Sequence, residues 1–448
     1  MEYKLDDDMM TNDVEYFYSL HGLRFESMNR AMAASLDKKF GKEFRAISIL
    51  NAWPSRKFDV PNYIIINQEG YRLAEDAGKP VVLLVDYEDV NQEFAADDFI
   101  HEITTKLLAK QQTVFVFPFT SSFLDLPSDR YTVIGPKSSV AQQFDSKVNQ
   151  MRLFQQLNLP CVEANIYDSE QSLIEDQNAA IPCYLSADYT SGGSESGLIQ
   201  STDDLQRFLD RIRPINMAGS FIAAEIFETI AFAPNVTAIV TADGNIYELV
   251  VTDQILDGNR YLGNTYPSLA NAAQLEQIHS IMQTIGKHLF GQGYLGLFGC
   301  DFMIGESGRL VVVDLNPRHQ GGYACNGLAL NCKGLSLSDI ELASILGEPI
   351  ALVQKELDTP LDFAWGHSKL YAAKGQIIND ELQQGNIEMP FEVTGQSYVE
   401  EFYKKGSVVV GGYVGYHVLS AADVDDLEPA LSASKEMFDQ SALETRTN

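Results

Sequence analysis

Two apolar runs separated by a tight turn constrain this chain more than any other part of its sequence. The runs are residues 297–304 and 309–315, and Gly305-Glu306-Ser307-Gly308 lies between them. This pattern predicts a β-hairpin with a four-residue loop. Each run is interrupted by one aspartate, Asp301 in the first and Asp314 in the second. An ionised side chain in a mostly apolar strand needs a compensating partner.

The expected register brings both carboxylates onto one face of the hairpin. With Ile304 paired to Arg309, Asp301 is a diagonal neighbour of Asp314 at about 7–8 Å. Asn316 projects from the same face because strand side chains alternate. Carboxylates and an amide carbonyl are hard oxygen ligands, which suit Mg²⁺ rather than Zn²⁺. We therefore predict a magnesium site. The alternative is that these are ordinary polar residues on a solvated sheet face, but it does not explain why the runs around them are so apolar.

The segment that leaves the second run adds a cation and two glycines. Asn316-Pro317-Arg318 is followed by His319-Gln320-Gly321-Gly322. A guanidinium beside metal ions is suited to gripping a phosphate or a carboxylate. The glycine pair would permit close backbone approach to a ligand, and a plain turn is a reasonable alternative. The sequence assigns no chemistry to His319.

The rest of the chain predicts further α/β structure. Before residue 135, short apolar runs alternate with helical stretches, which is the pattern of an open, largely parallel sheet. The expected strands are 63–66, 81–85, 114–117, 131–134, 181–185, 236–242 and 246–251. Helical spacing covers 14–36, 97–110, 146–158 and 272–290. Short strands and turns beyond residue 350 indicate a small β-rich appendage.

Global composition narrows the class of protein. The 448 residues exceed what one hydrophobic core usually organises, so two or three domains are expected. A net charge of −30 without a clustered basic patch disfavours nucleic-acid partners. The five cysteines include no C-x-x-C pair, and no apolar run is long enough for a membrane span. We therefore expect a cytoplasmic protein without a membrane partner.

The hairpin and its exit resemble the metal-binding end of ATP-grasp enzymes. The family pattern is G-x-D-F, twelve residues between two acids, and x-N-P-R, which residues 299–318 match without a gap. The superfamily includes L-amino acid and peptide ligases, D-alanine–D-alanine ligase, biotin carboxylase and the large subunit of carbamoyl phosphate synthetase. Upstream segments match in the same order, namely Asp145-Ser146-Lys147 before a helix ending at Leu159-Pro160, residues 182–197, and Ala224-Glu225-Ile226-Phe227. The resemblance covers residues 135–345.

The resemblance implies a role for each matched residue. Asp301, Asp314 and Asn316 would bind Mg²⁺. Arg318 would be catalytic, by orienting a carboxylate or stabilising a tetrahedral intermediate. The residues implied to bind ATP, through its phosphates or its adenine, are Lys147, Gly192, Gly193, Ser194, Glu225 and Phe227. The implied cofactors are ATP and Mg²⁺, as one or two ions that Mn²⁺ can replace.

Two positions depart from the family pattern. Ser186 stands where a lysine or arginine usually ends the strand before the glycine loop, so a phosphate contact is missing or comes from another residue such as Arg260. Asp314 replaces the usual glutamate and is one methylene shorter. These departures keep a non-catalytic ATP-binding regulatory protein open as an alternative.

The implied fold class is α/β, with α+β structure in the nucleotide module. The expected order is an open N-terminal α/β domain, a core of two ATP-grasp subdomains and a small C-terminal β-rich domain. The corresponding ranges are 1–135 for the N-terminal domain, 136–225 for the small subdomain, 226–348 for the large subdomain with the metal site, and 349–448 for the appendage.

The expected activity is that of a carboxylate–amine ligase. A carboxylate, from an amino acid or a small peptide, would be joined to an amine through an acyl phosphate, with release of ADP and phosphate. The partners would be these small molecules, and a homodimer stays open. His367 and Lys369 either reach this site or lie on an exposed strand. A carboxylase that uses bicarbonate is the alternative enzyme, whereas a Rossmann-type dehydrogenase lacks its G-x-G-x-x-G motif.

Overall fold

The computed structural model of the protein describes residues 3–21, 26–50, 62–66, 87–176, 181–189, 195–213, 219–258, 260–372, 376–378, 385–387, 394–399, 412–441 and 443–445. These residues form an α/β structure with three larger sheets and a two-stranded one, and the predicted fold class is confirmed. In this part of the chain, no helix is long and apolar enough to cross a membrane.

A six-stranded sheet organises the N-terminal region, in the order β1-β4-β3-β2-β5-β6. All neighbours are parallel except β1 and β4. Its strands are β1 (Tyr3–Lys4), β2 (Glu15–Ser19), β3 (Phe44–Leu50), β4 (Tyr63–Ile65), β5 (Val114–Phe117) and β6 (Tyr131–Val133). The helices of this region are α1 (Glu26–Phe40), α2 (Tyr87–Ala96) and α3 (Asp98–Leu107).

One predicted element of this sheet is wrong. Residues 14–36 were expected to be helical, yet β2 occupies the first part of that range. Tyr16, Phe17 and Tyr18 are fully buried, because a strand between parallel neighbours is covered on both faces and shows no alternation. The predicted strand at 81–85 lies outside the described residues.

A four-stranded antiparallel sheet follows, in the order β7-β10-β8-β9. Leu205, Phe208, Leu209 and Ile212 form the buried stripe of its covering helix, at the spacing of a helix face. The strands are β7 (Ala164–Tyr167), β8 (Cys183–Ala187), β9 (Ser196–Ile199) and β10 (Phe221–Ala224). The helices before and around them are α4 (Ser138–Asp145), α5 (Lys147–Gln156), α6 (Glu170–Glu175) and α7 (Thr202–Ile212).

The third sheet has ten strands and carries the predicted hairpin. Its order is β11-β15-β12-β13-β14-β17-β21-β20-β19, with β16 paired to β15. The strands in the first part are β11 (Ile230–Phe232), β12 (Pro234–Val240), β13 (Ile246–Asp257), β14 (Arg260–Tyr266), β15 (Gly296–Gly305) and β16 (Leu310–Asn316). The helices packed here are α8 (Ala272–Gly291), α9 (Tyr323–Cys332), α10 (Leu337–Ile345) and α11 (Gln354–Asp358).

The C-terminal strands continue the same sheet. β17 (Ala364–Ala372) pairs with β14 on one side and with β21 (Gly412–Ala421) on the other. The remaining elements are β18 (Gln376–Ile378), β19 (Gly385–Ile387), β20 (Thr394–Val399), a short 3-10 helix (Val424–Asp426), α12 (Leu427–Ser441) and β22 (Leu443–Thr445). The large sheet therefore extends from the hairpin into residues 364–421.

Candidate functional site

The two aspartates of the hairpin lie directly opposite each other. Asp301 pairs with Asp314, and Gly299 pairs with Asn316. The predicted register is wrong, because Ile304 pairs with Leu310 and a β-bulge then takes up one more residue of β16. Directly opposed side chains have Cβ atoms about 4.5–5.5 Å apart, closer than the expected diagonal.

Neutral amides surround the Asp301 carboxylate. Gln254 Nε2 donates to Asp301 Oδ1 at 3.0 Å, Asn316 Nδ2 donates to Oδ2 at 3.2 Å, and Asn235 Nδ2 also donates to Oδ1. Gln320 Nε2 lies 3.4 Å from Oδ1. Burial and then the Asp314 charge raise the pKa of Asp301 from 3.8 to about 6. The site therefore holds negative charge that amide donors only partly offset.

Lys147, the first residue of α5, forms an ion pair with Asp314. Gln150, one turn further along α5, fixes this helix to β16. Its side chain donates to the Leu315 carbonyl at 2.6 Å and accepts from the Leu315 N–H at 3.0 Å. The lysine predicted to contact phosphate thus lies beside the predicted metal ligands.

Arg318 lies beyond the end of β16, at the edge of the N-terminal sheet. Its Nε is 3.6 Å from Asp145 Oδ1, its Nη1 donates to the His319 carbonyl at 3.1 Å, and it lies over the Phe119 ring. Burial opposes the charge of the guanidinium, but the Asp145 and Asp314 carboxylates favour it, and the pKa of Arg318 is raised. Ser122 holds Asp145 in turn, with an Oγ–Oδ2 distance of 2.7 Å.

The glycine pair after Arg318 lies against protein side chains. A Cβ on Gly321 would come within 2.5 Å of the Tyr261 ring, and one on Gly322 within 3.1 Å of Asn264 Oδ1. Both neighbours belong to β14, and Tyr261 OH lies 3.2 Å from His367 Nε2 on β17. The glycine pair therefore lets the backbone approach β14 of the large sheet closely. His367 lies next to Gly322, and Lys369 lies over the Tyr261 ring.

The predicted adenine hinge follows β10. Glu225 forms an ion pair with Arg309 of the hairpin turn at 2.5 Å and accepts from the Glu163 N–H at 3.0 Å. Arg309 in turn lies over the Phe227 ring, and its hydrogen bond lowers the pKa of Glu225. An apolar cluster adjoins the hinge between the small and large sheets. It contains Val148, Met151, Val162, Ile222 and Val311, with Phe227, Met303 and Val313 partly buried against it.

The segment predicted to bind the ATP phosphates lies only in part within the described residues. Gly192, Gly193 and Ser194 lie outside the described residues. Ser186 pairs with Ser196 of β9, and Asp188 beyond it accepts from Ser146 Oγ at 3.1 Å and from the Val148 N–H at 3.3 Å. A carboxylate thus faces the start of α5 at the end of β8, close to where a family cation was expected.

The candidate metal site is built from oxygen donors. The described ranges contain no group of three or more His, Cys, Asp and Glu side chains placed to hold a metal. Asp301, Asp314 and the Asn316 amide form a different set, of hard ligands that Mg²⁺ accepts. Burial and the Asp314 charge raise the pKa of Asp301, and Lys147 is the cation paired with one of these two carboxylates. The residues present therefore fit Mg²⁺.

Sequence reasoning missed several members of this site. Asn235 and Gln254 come from β12 and β13, far from the hairpin in sequence, and no sequence motif indicated that they belong to the site. A polar residue inside an apolar strand run was the available signal for Asn235. Glu341, which is paired with His319 at 2.8 Å, had no local signal at all.

Comparison with known proteins identifies the class. Residues 147–322 match the sequence profile of the ATP-grasp domain. This segment is an ATP-grasp domain, which confirms the family resemblance predicted from the sequence.

Three relatives illustrate the range of similarity. The chain is 30% identical over 100 residues to the L-propargylglycine–L-glutamate ligase of Streptantibioticus cattleyicolor, covering 22% of this chain and only 20% of that protein. It is 24% identical over 347 residues to the formate-dependent phosphoribosylglycinamide formyltransferase of Histophilus somni, covering 75% of this chain and 81% of that protein. Biotin carboxylase of Campylobacter jejuni, solved as a β-γ-ATP complex, shares the fold with a TM-score of 0.68 and 13% identity, over 96% of this chain and 92% of that chain.

Proposed function

We propose that this protein is an ATP-dependent ligase that phosphorylates a substrate carboxylate and joins the acyl group to an amine. The observation that carries the proposal is the opposed pair of Asp301 and Asp314. Lys147 is paired with Asp314, and Arg318 lies just beyond the end of β16. Paired carboxylates for Mg²⁺ and two nearby cations suit transfer of a phosphoryl group to an anion. The ADP-forming ligase chemistry implied by the family resemblance agrees with this arrangement.

ATP would lie between the small and the large sheet. The apolar cluster there would receive the adenine, beside Glu225 and Phe227. Lys147 and the loop with Gly192, Gly193 and Ser194 would hold the phosphates. The cluster supports this placement because a planar apolar base needs a slot of that composition.

In the first step a substrate carboxylate oxygen attacks the γ-phosphorus, and the bond to ADP breaks. Mg²⁺ bound by Asp301, Asp314 and Asn316 would neutralise charge on the phosphates. Lys147, which pairs with Asp314 in the structure, would then contact phosphate oxygens. Neither step needs a covalent intermediate on the chain.

In the second step the amine nitrogen attacks the acyl phosphate and phosphate leaves. Arg318 would orient the carboxylate and stabilise the tetrahedral intermediate, because Asp145 and the His319 carbonyl hold its guanidinium in one position. We propose amino acids or small peptides as substrates, and similarity to L-propargylglycine–L-glutamate ligase supports this choice.

Two other functions have support of their own. Activation of a one-carbon acid, formate or bicarbonate, is favoured by the longer match to a formate-dependent formyltransferase. A non-catalytic ATP-binding regulatory protein is favoured by Ser186 and by Asp188, which leave the described end of β8 without a cationic side chain.

Mass spectrometry of a substrate screen tests these functions. The full chain is incubated with ATP, Mg²⁺ and pooled amino acids, with formate or bicarbonate in parallel arms, and Asp314→Asn as the control. We expect ADP together with a product one water lighter than its two parents, and about 100-fold less of both in the control. ADP formation only in a one-carbon arm would favour the second function, and AMP would overturn the acyl phosphate. ATP binding without turnover in any arm would favour the regulatory protein.

A further inference from the structure

A buried acid–base pair next to Arg318 is not used by the steps above. His319 Nε2 lies 2.8 Å from Glu341 Oε1 on α10, and the two side chains are 4% and 2% exposed. Tyr323 OH donates to the other carboxylate oxygen of Glu341 at 2.9 Å. Burial, and then the Glu341 charge, raise the pKa of Tyr323 well above 10.0, so this hydroxyl keeps its proton.

These contacts assign the hydrogen on the His319 ring. An ionised carboxylate only accepts hydrogen bonds, so Nε2 of His319 carries the hydrogen that Glu341 accepts. In the neutral imidazole, Nδ1 is then the acceptor nitrogen. Among the described residues, this buried Nδ1 has no hydrogen-bond partner. A carboxylate that fixes the tautomer of a histidine and leaves its second nitrogen open is the arrangement of a general base.

The pair lies where a ligand of this fold can arrive. His319, Arg318 and Glu341 line one small cavity together with Phe119 and Thr120. The cavity adjoins the carboxyl end of β5, and the order of the N-terminal sheet reverses between β2 and β5. Open α/β sheets bind ligands at that kind of reversal. The space takes about one water-sized group, which is the size of an amino nitrogen.

The backbone of His319 fixes this geometry. Its N–H donates to the Phe119 carbonyl at 3.2 Å, and its carbonyl accepts from Arg318. The backbone of His319 is therefore anchored by the N-terminal sheet and by the Arg318 guanidinium, and its imidazole by Glu341. A histidine with a fixed backbone and one fixed ring nitrogen keeps its direction when a substrate binds.

We propose that His319 is the general base of the amide-forming step and that Glu341 is its positioning residue. This inference rests on the proposed ligase function. The amine nitrogen attacks the acyl carbon, the C–N bond forms, and the C–O bond to phosphate breaks. The proton that the amine loses passes to His319 Nδ1, and Glu341 stabilises the imidazolium until solvent or phosphate takes the proton. The ligand of the cavity is thus the amino group of an amino acid or peptide.

Other ionisable groups around His319 are consistent with this role. His21, after β2, has its ring centroid 5.2 Å away, and burial and then His319 lower its pKa well below 6.5. His21 is therefore neutral, and Arg318 is balanced by Asp145. Glu341 is then the carboxylate in direct contact with the imidazole, with Tyr323 as its neutral donor.

Hydroxylamine separates the two half-reactions. It traps acyl phosphates as hydroxamates and is an uncharged nucleophile near neutral pH, so trapping reports the phosphoryl transfer without the base. Wild type, His319→Gln and Glu341→Gln are assayed with ATP, Mg²⁺ and the carboxylate found in the screen, with hydroxylamine or with the amine substrate. We expect His319→Gln to form hydroxamate but to lose amide synthesis by about 100-fold or more. Glu341→Gln should lose less and should shift the pH profile of amide synthesis.

The controls keep each failure distinct. Hydroxamate formation by His319→Gln demonstrates a folded, ATP-competent protein, and His367→Gln is the matched buried-histidine variant on the other side of Gly322. Equal loss of hydroxamate and amide in His319→Gln, with an unchanged melting temperature, would make His319 a positioning residue only and overturn the proposal. Selective loss of amide synthesis in His367→Gln, and not in His319→Gln, would overturn the proposal and identify His367 on β17 as the base. Absence of hydroxamate from wild type with every carboxylate would overturn the ligase function itself.

Discussion

The metal end and the hinge end of the candidate ATP site treat their carboxylates in opposite ways. At the metal end, Asp301 has amide donors and faces a second carboxylate, and its pKa is raised to about 6. At the hinge, Glu225 is paired with Arg309, and its pKa is lowered. At the metal end Lys147 is paired with one of two opposed carboxylates, whereas at the hinge one cation is paired with one carboxylate.

This difference predicts that the two ends depend differently on the proposed ligands. Two opposed carboxylates destabilise the fold unless cations offset both charges, and Lys147 pairs only with Asp314. An exposed ion pair contributes little to stability and mainly fixes geometry. Changes at the metal end should therefore alter both the rate of ATP turnover and the free energy of unfolding. Changes at the hinge should mainly alter the affinity for nucleotide.

The largest effect should come from Asp301→Asn. Losing a predicted metal ligand should lower Mg²⁺-dependent ATP turnover by about 100-fold or more. The same change should raise the free energy of unfolding without Mg²⁺ by about 1–3 kcal/mol, because it removes one of two like, partly buried charges. Steady-state kinetics and urea unfolding measure the two quantities. The matched control is Asp257→Asn at the exposed end of β13, and a less stable Asp301→Asn protein would contradict the comparison.

The pH dependence of stability should differ in sign between the two ends. The pKa of Asp301 rises from 3.8 to about 6 on folding, so its folded form takes up a proton in that window and stability falls as pH rises through it. The pKa of Glu225 is lowered from 4.5, so its contribution is present above that pH and is lost as pH falls through the folded value. Urea unfolding without Mg²⁺ at several pH values should therefore lose the first slope in Asp301→Asn and the second in Glu225→Gln. Identical profiles of unfolding free energy against pH in the two variants would contradict the predicted difference between the metal end and the hinge.

The smallest effect should come from Arg309→Met. Its partner Glu225 is 31% exposed and Arg309 is 42% exposed, so stability should change by less than about 1 kcal/mol. The KM for ATP should rise several-fold while kcat stays near the wild-type value, because only the hinge loses a contact. Arg152→Met, which breaks an exposed ion pair with Asp168, is the control. A drop in kcat without a change in KM would place Arg309 in the chemical step.

Sequence reasoning succeeded where a signal is local. The hairpin, the helix that opens with Lys147 and the long helix α8 follow from periodicity and turn residues, and the structure contains them. It failed for β2, because a fully buried strand of large side chains has no period to read. It also failed for the hairpin register, since a bulge is decided by pairing across strands and not by the turn alone.

The surroundings of the site were harder to predict than its motif. Asn235, Gln254 and Glu341 reach the site from two strands and a helix, so only the folded chain brings them near Asp301 or His319. The sequence left the glycine pair as either a ligand contact or a plain turn, and in the structure the space beside it is filled by Tyr261 and Asn264. Residues whose function depends on tertiary contact leave no spacing pattern in the chain.

The pairing of β14 with β17 links the fate of the metal site to that of the last third of the chain. A Cβ on Gly263 would come within 1.9 Å of the His367 carbonyl, so these two strands meet with no space between them. Amide protons of β17 should consequently exchange with solvent as slowly as those of β14, in one cooperative opening. Proteolytic removal of the C-terminal strands would uncover the backbone edge of β14, and the loosening would reach the metal site through the neighbouring β13, which carries Gln254.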